Sequence, residues 1–369
     1  MFLWHVEHSY MKQFVKEDRQ MEQPAKRQMR KPSYPVSDDL ARYLKKYKRT
    51  TKISILYEDL LRFSGYVSVE DKFGNDTLWY RVYYPEHEYA EIEANLAKVY
   101  TLLHSDGDVT LLEHLVVDTI DFCSFGNSQP FRIKIRNKLN DIYTNFYVKK
   151  ADASRIYGLE LEEMMSPNTV NYLVHKDTLI EEHIMGIPGD VFIKEYLPQC
   201  TELEKSQIAK EYVKFNERCL IGLLGDMRSY NYVIIPTHDF DHVVYRIRPI
   251  DFDQQCYEGN LKFYLPQFFK ENNTIVQLVL DKFKDISIEQ YRKEIRSVLV
   301  RRVISNQDRI QDILNVMKQD TIAPKEHIDQ LKMEMYDFVH EKAFKYCNNM
   351  GEILETAIKF TIKNYRSVF

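Results

Sequence analysis

The chain has 369 residues, enough for two or three domains with a sizeable core. Its 51 basic and 55 acidic side chains nearly cancel, so global charge names no partner, and 26 Tyr against 11 Gly exclude a chain that is disordered or low-complexity as a whole. Five scattered cysteines (Cys123, Cys200, Cys219, Cys256, Cys347) without a C-x-x-C pair argue against a disulfide framework or a Cys-based zinc site and favour a reducing compartment.

The first residues, Met1-Phe2-Leu3-Trp4, are apolar, but His5, Glu7 and His8 follow at once, so the segment is too short for a signal peptide. No later run has the length and apolarity of a membrane span, and a cytoplasmic protein without a membrane partner is expected. Residues 1 to about 23 suit a short polar helix; His5 and His8 share its face but have no further ligands to make a metal site. Pro24, Pro32 and Pro35 then mark a linker. Between Lys26 and Lys52 lie ten Lys or Arg and two acids, Asp38 and Asp39. This basic arm reads as a solvated helix face and tail, and no nucleic-acid partner is expected. Ser37 is a good N-cap for a helix from Asp38 to about Tyr47, with Leu40, Tyr43, Leu44 and Tyr47 as its apolar stripe. A helix over Ile53 to Phe63, a hairpin of Tyr66–Val69 and Leu78–Tyr84, and a helix from Glu86 to His104 follow.

From about Val109 the pattern turns to strands, at Val116–Phe125, Phe131–Arg136 and Ile142–Lys149. A helix from Ser154 to Met165 comes next, then strands at Val170–Val174 and Thr178–Ile184. The remainder reads helical: Thr201–Leu224, Tyr264–Phe269, Thr274–Phe283, Ile288–Ile304, Asp308–Met317, Lys325–Cys347 and Gly351–Tyr365.

The one interruption of the helical half carries the chemistry. Gly225-Asp226-Met227-Arg228-Ser229-Tyr230-Asn231 leads into the apolar run Tyr232–Ile235; after a polar turn, Val243–Ile247 ends in Ile250-Asp251-Phe252-Asp253. A hairpin of these two runs brings Asp226, Asn231 and Asp251 to one end. Two carboxylates and an amide oxygen are hard ligands that suit Mg²⁺ carrying a phosphate, with a further carboxylate available to take a proton from a hydroxyl. Ordered as Asp, basic residue, Asn, two strands and Asp-Phe, this stretch resembles the protein-kinase-like superfamily. The Gly-Asp opening is more similar to aminoglycoside phosphotransferases and the bacterial HipA-type kinases than to eukaryotic protein kinases. No Ala-Pro-Glu segment or long activation loop follows Asp251.

The resemblance implies an α+β, two-lobed, kinase-like fold with an N-terminal accessory α+β module and a helical C-lobe. Its divisions would be an arm and linker over 1–36, the accessory module over 37–108, an N-lobe over 109–190 and a C-lobe over 191–369. It implies ATP and Mg as cofactors and phosphoryl transfer to a small-molecule or protein hydroxyl. Asp226 would be the base, Arg228 would stabilise charge on the phosphoryl group, and Asn231 and Asp251 would hold the metal, with Asp253 touching a second ion. Of Lys149 and Lys150 only one can point into a cleft, and apolar-x-apolar-Lys spacing favours Lys149 for the phosphates, with Glu160 or, second, Glu163 to pair with it. Gly126, Asn127 and Ser128 fall in a phosphate loop whose Ser-Gln-Pro is similar to that of HipA-type kinases. Glu182 and Ile184 fall in the adenine-binding linker. The alternatives are a catalytically inactive nucleotide-binding scaffold (a pseudokinase) and adenylyl transfer.

Overall fold

A computed structural model describes residues 31–71, 74–105, 107–124, 128–239 and 242–365. The protein is mixed α+β and divides into two compact units, one of residues 33–160 and 169–185, the other including 161–168 and 186 onward. The helix expected within residues 1–23, with His5 and His8, lies outside the described residues.

The first unit is built on a seven-stranded antiparallel sheet in the order β1-β2-β3-β4-β5-β7-β6. The strands are β1 (Gly65–Glu70), β2 (Asp76–Tyr83), β3 (Leu115–Cys123), β4 (Phe131–Asn137), β5 (Ile142–Lys150), β6 (Tyr172–His175) and β7 (Thr178–Glu182). Alternation sends Ile133, Ile135, Phe146, Val148 and Ile180 to one face, where they pack with Ile92, Leu96 and Val99 of α2 (Glu86–His104) and with Ile53, Ile55 and Tyr57. Residues 37–108 are therefore not a separate accessory module. Their hairpin β1–β2 continues the sheet through Trp79↔Cys123 and Arg81↔Asp121, and their helix covers its core. α1 (Asp38–Lys46) starts as expected, with Ser37 Oγ accepting from the Leu40 amide. The expected helix over Ile53–Phe63 shrinks to one turn, Tyr57–Leu60.

Helix α3 (Ala153–Met165) follows β5 and contributes its residues to Glu160 to the sheet unit and its end to the second unit. Its N-cap is Asp152: Asp152 Oδ1 accepts from the Arg155 amide, and Oδ2 accepts from the Tyr34 amide.

The second unit is organised around α4 (Glu202–Gly222), which a Thr201–Glu204 capping box starts and Leu223 ends in the left-handed region at φ +50°. A three-stranded sheet, β10-β9-β8, is formed by β8 (Ile187–Pro188), β9 (Tyr232–Asp239) and β10 (His242–Pro249). Helices α5 (Asn273–Lys282), α6 (Asp285–Ser305) and α9 (Met350–Asn364) pack against α4, and α7 (Gln307–Gln319) packs against α9. The stretch read as one helix from Lys325 to Cys347 is broken: α8 (Lys325–Val339) stops there, His340 turns left-handed at φ +56°, and a 3₁₀ turn covers Lys342–Tyr346. Tyr264–Phe269, expected as a helix, is a pair of 3₁₀ turns. Among the described residues no helix is long and apolar enough to cross a membrane.

Candidate functional site

The Asp226 loop is built where two chain segments meet. Beyond Leu223 the backbone pairs with the turn after β10: Cys256 N–H donates to Leu223 C=O at 2.9 Å and Gly225 N–H to Gln254 C=O at 3.3 Å. A Cβ on Gly225 would lie 3.1 Å from that Gln254 oxygen, which explains the glycine. Asp226 itself has φ +59°, uncommon outside glycine, and its N–H donates to Phe263 C=O at 3.0 Å. Its carbonyl accepts from the Arg228 amide and from Asn231 Nδ2, both at 2.8 Å. Arg228 Nε donates to Asp226 Oδ1 at 2.8 Å, and Arg228 Nη1 donates to Glu271 Oε1 at 2.8 Å. The guanidinium also lies over the Phe269 ring, 4.9 Å from its centroid.

The hairpin fixes the rest. Tyr232 pairs with Pro249, and Ile250 N–H donates to Asn231 C=O at 3.0 Å, so Asn231 enters β9 where Asp251 leaves β10. Asp251 Oδ1 accepts from the Asp253 amide at 3.1 Å, while Phe252 between them is buried. Burial pushes the Asp226 carboxyl above the usual carboxylate range; Arg228 opposes this, and Asp251 and Glu271 add to it. Asp226 Oδ2 accepts no hydrogen bond among the described residues, which leaves that oxygen open to a proton.

The expected donor set for a metal is thus partly assembled. The Asn231 amide spends its Nδ2 on the Asp226 carbonyl, so its oxygen is directed elsewhere, and Asp251 stands at the same hairpin end. Among the described residues no three or more His, Cys, Asp or Glu group to hold an ion. A Mg²⁺ carried on phosphates, which takes only one or two protein ligands, fits the pair Asn231 and Asp251. The Arg228 guanidinium is bonded to the carboxylates of Asp226 and Glu271.

On the sheet unit, Lys149 is buried and Lys150, on the opposite face at the end of β5, is exposed. The carboxylate at 2.6 Å from Lys149 Nζ is that of Glu181 on β7, with Arg155 Nη1 4.0 Å from its other oxygen. This replaces the expected helix partners. Glu160 accepts from Tyr43 and Tyr172 hydroxyls at 2.5 Å each and from Arg49 Nε at 3.0 Å. Glu163 belongs to the second unit, where Arg309 lies 3.5 Å away. On the Lys149 face, Asp121 is held by Arg81 at 3.0 Å and Arg132 at 2.9 Å, and Arg132 lies over Trp79 at 4.5 Å.

Gly126 and Asn127 lie outside the described residues. Ser128 sits in the β3–β4 turn, whose ends are tied by Cys123 N–H donating to Pro130 C=O at 2.9 Å. Glu182 accepts from the Asn171 amide at 3.1 Å and Nδ2 at 3.0 Å, so its side chain joins β7 to the start of β6. Ile184 is half-buried in the segment after β7.

Sequence reading missed Glu271, Asn272 and the Lys149–Glu181 pair. Asn272 is fully buried and binds the loop from below: Nδ2 donates to Met227 C=O at 2.9 Å and Pro266 C=O at 2.7 Å, and Oδ1 accepts from Tyr232 at 2.9 Å. Nothing in Lys270-Glu271-Asn272-Asn273 signals this. No protein-family model matches the chain, and no curated protein matches it.

Proposed function

We propose that the protein is an ATP- and Mg-dependent phosphotransferase of the protein-kinase-like superfamily, acting on a hydroxyl acceptor in the cytoplasm. The observation that carries this reading is the Asp226 loop. One carboxylate oxygen is fixed by Arg228, the other accepts no hydrogen bond, burial raises its proton affinity, and Asn231 and Asp251 arrive at the same hairpin end. A carboxylate so tuned is a general base for a hydroxyl proton. Bound magnesium would supply charge neutralisation on the transferred phosphoryl group. Asp226 Oδ2 takes the acceptor proton, Arg228 and Glu271 hold that oxygen's orientation, and Asn231 and Asp251 bind the ion. Lys149, buried beside Glu181, binds phosphate oxygens. Five free cysteines agree with a reducing compartment.

The test is incubation with γ-labelled and α-labelled ATP, with Mg²⁺ or with EDTA, across an acceptor panel. Transfer of γ-label that Asp226→Asn slows by about 10²- to 10⁴-fold, with ATP affinity little changed, is the expected result. Transfer of α-label would mean adenylylation, and ATP binding without either transfer would mean a scaffold. Mg²⁺ should also add to the ATP-induced rise in Tm, and Asp251→Ala should remove that increment. An increment unchanged in folded Asp251→Ala overturns the metal assignment.

A further inference from the structure

A cleft of about 80 Å³ opens among the helices of the second unit, away from any residue named above as catalytic or ligating. Leu220 of α4, Met335 and Phe338 of α8, Phe344 of the 3₁₀ turn and Phe360 of α9 form its apolar walls. The remaining wall is a ring of alternating charge. Arg296 Nε bonds Glu217 at 2.5 Å and its Nη1 bonds Glu289 at 3.1 Å, while Arg292 lies 3.8 Å from Glu217 and 3.9 Å from Glu289. Glu217 and Arg296 are both more than nine-tenths buried.

This composition selects a ligand class. Among the described lining residues the two arginines and two glutamates bond one another, so a charged ligand would have to displace one of these pairs in low-dielectric surroundings. Three phenylalanine rings from three different elements favour a planar aromatic body through offset or edge contacts. The volume is far below the ~300–1,000 Å³ of drug-sized pockets, so a single ring and not a nucleotide or lipid chain matches it. A wall of carboxylates and guanidinium groups rewards one donor or acceptor on that ring.

We propose that this cleft binds an uncharged, single-ring aromatic molecule carrying one hydrogen-bonding group. Its floor includes Glu217, Leu220 and Ile221, the last turns of α4, and α4 delivers the chain through Leu223 to the Asp226 loop. Occupancy therefore buttresses the end of that helix. The inference does not depend on phosphoryl transfer, because binding and its location are both read without ATP.

Phenol and indole are the probes, with benzoate and benzamidine as charged counterparts of similar size. The neutral pair should raise Tm in a saturable manner and slow amide exchange at the end of α4, in α8 and in α9; the charged pair should do neither. Ala357→Phe, which fills the cleft, should abolish the shift, and Ala357→Leu serves if the larger side chain prevents folding. Equal shifts from the charged pair, protection confined to other segments, no saturable binding, or unchanged affinity in a folded filled variant would each overturn the proposal.

Discussion

On the Lys149 face of the seven-stranded sheet, each buried acid is bracketed by cations: Asp121 by Arg81 and Arg132, Glu181 by Lys149 and Arg155. In the Asp226 loop the ratio inverts, because one guanidinium, Arg228, is shared by Asp226 and Glu271 while Asp251 adds its field. Among the described residues, two cations contact each of these sheet acids, whereas Asp226 and Glu271 share one. The sheet pairs are complete enough to act as structure, whereas the loop holds its carboxylates at a cost in stability.

The largest effect that would break this contrast is on the sheet. Glu181→Ala removes the acid between Lys149 and Arg155 and should cost about 3–5 kcal/mol in denaturant unfolding, the usual penalty for breaking a buried pair. A cost below ~1 kcal/mol would mean the pair carries little structural weight. The loop, by contrast, should depend on backbone fit. A Cβ on Gly189 would fall 2.3 Å from the Tyr232 ring and 2.5 Å from Ser229 C=O, so Gly189→Ala should cost about 1–3 kcal/mol and displace the Ser229–Asn231 turn. Crystallography of the variant, or exchange at those amides, would show the displacement.

Asp226→Asn should move stability the other way, raising Tm at neutral pH even as it slows transfer. The native carboxyl titrates above its unfolded value, so the ionised form costs stability above the native pKa, and the cost fades as pH falls through it toward the ordinary carboxylate range. The Tm difference from wild type should therefore close in acid; a variant less stable than wild type at pH 7 would contradict the account. The smallest effect belongs to His183 on the sheet unit. Burial and then Arg132 hold its imidazole below the usual range. Its contribution is fully present above the unfolded pKa and is lost as pH falls through that value toward the lower native one. His183→Asn should flatten that part of the acid limb of a stability profile, provided its bond to the Tyr147 hydroxyl is kept by the amide.

Much of the loop was legible because its determinants are local. Two apolar runs with a polar turn fix the Tyr232–Pro249 register, and that register alone brings Asn231 and Asp251 to one end. What was not legible depends on distant pairing. Glu181 meets Lys149 because β5 and β7 align Lys149 with Leu179, and no periodicity in either strand sets that alignment. Glu160 is expected from the helix pattern to pair with Lys149, but Tyr43, Arg49 and Tyr172 claim it from elsewhere in the chain. The hairpin at 65–83 was recognisable as a hairpin, yet its union with β3 spans α2 and leaves no local trace. His340 ends α8 in a conformation that its flanking residues do not announce.

The end of α3 sets an order of events during synthesis. Its residues to Glu160 are part of the sheet unit, all of whose strands lie before residue 186, whereas Glu163 and Met164 meet Arg302 of α6, Arg309 of α7 and Asn306 between them. A ribosome adding about 5–20 residues per second needs roughly 6–25 s to travel from the end of β7 at Glu182 to Arg302 and Arg309. For that interval Met164, destined to be buried, is held by a helix whose first turns can already be docked on a finished sheet. The nascent chain thus passes through a stage with a completed β unit and an apolar helical stub awaiting its cover, the stage at which a chaperone would find something to hold.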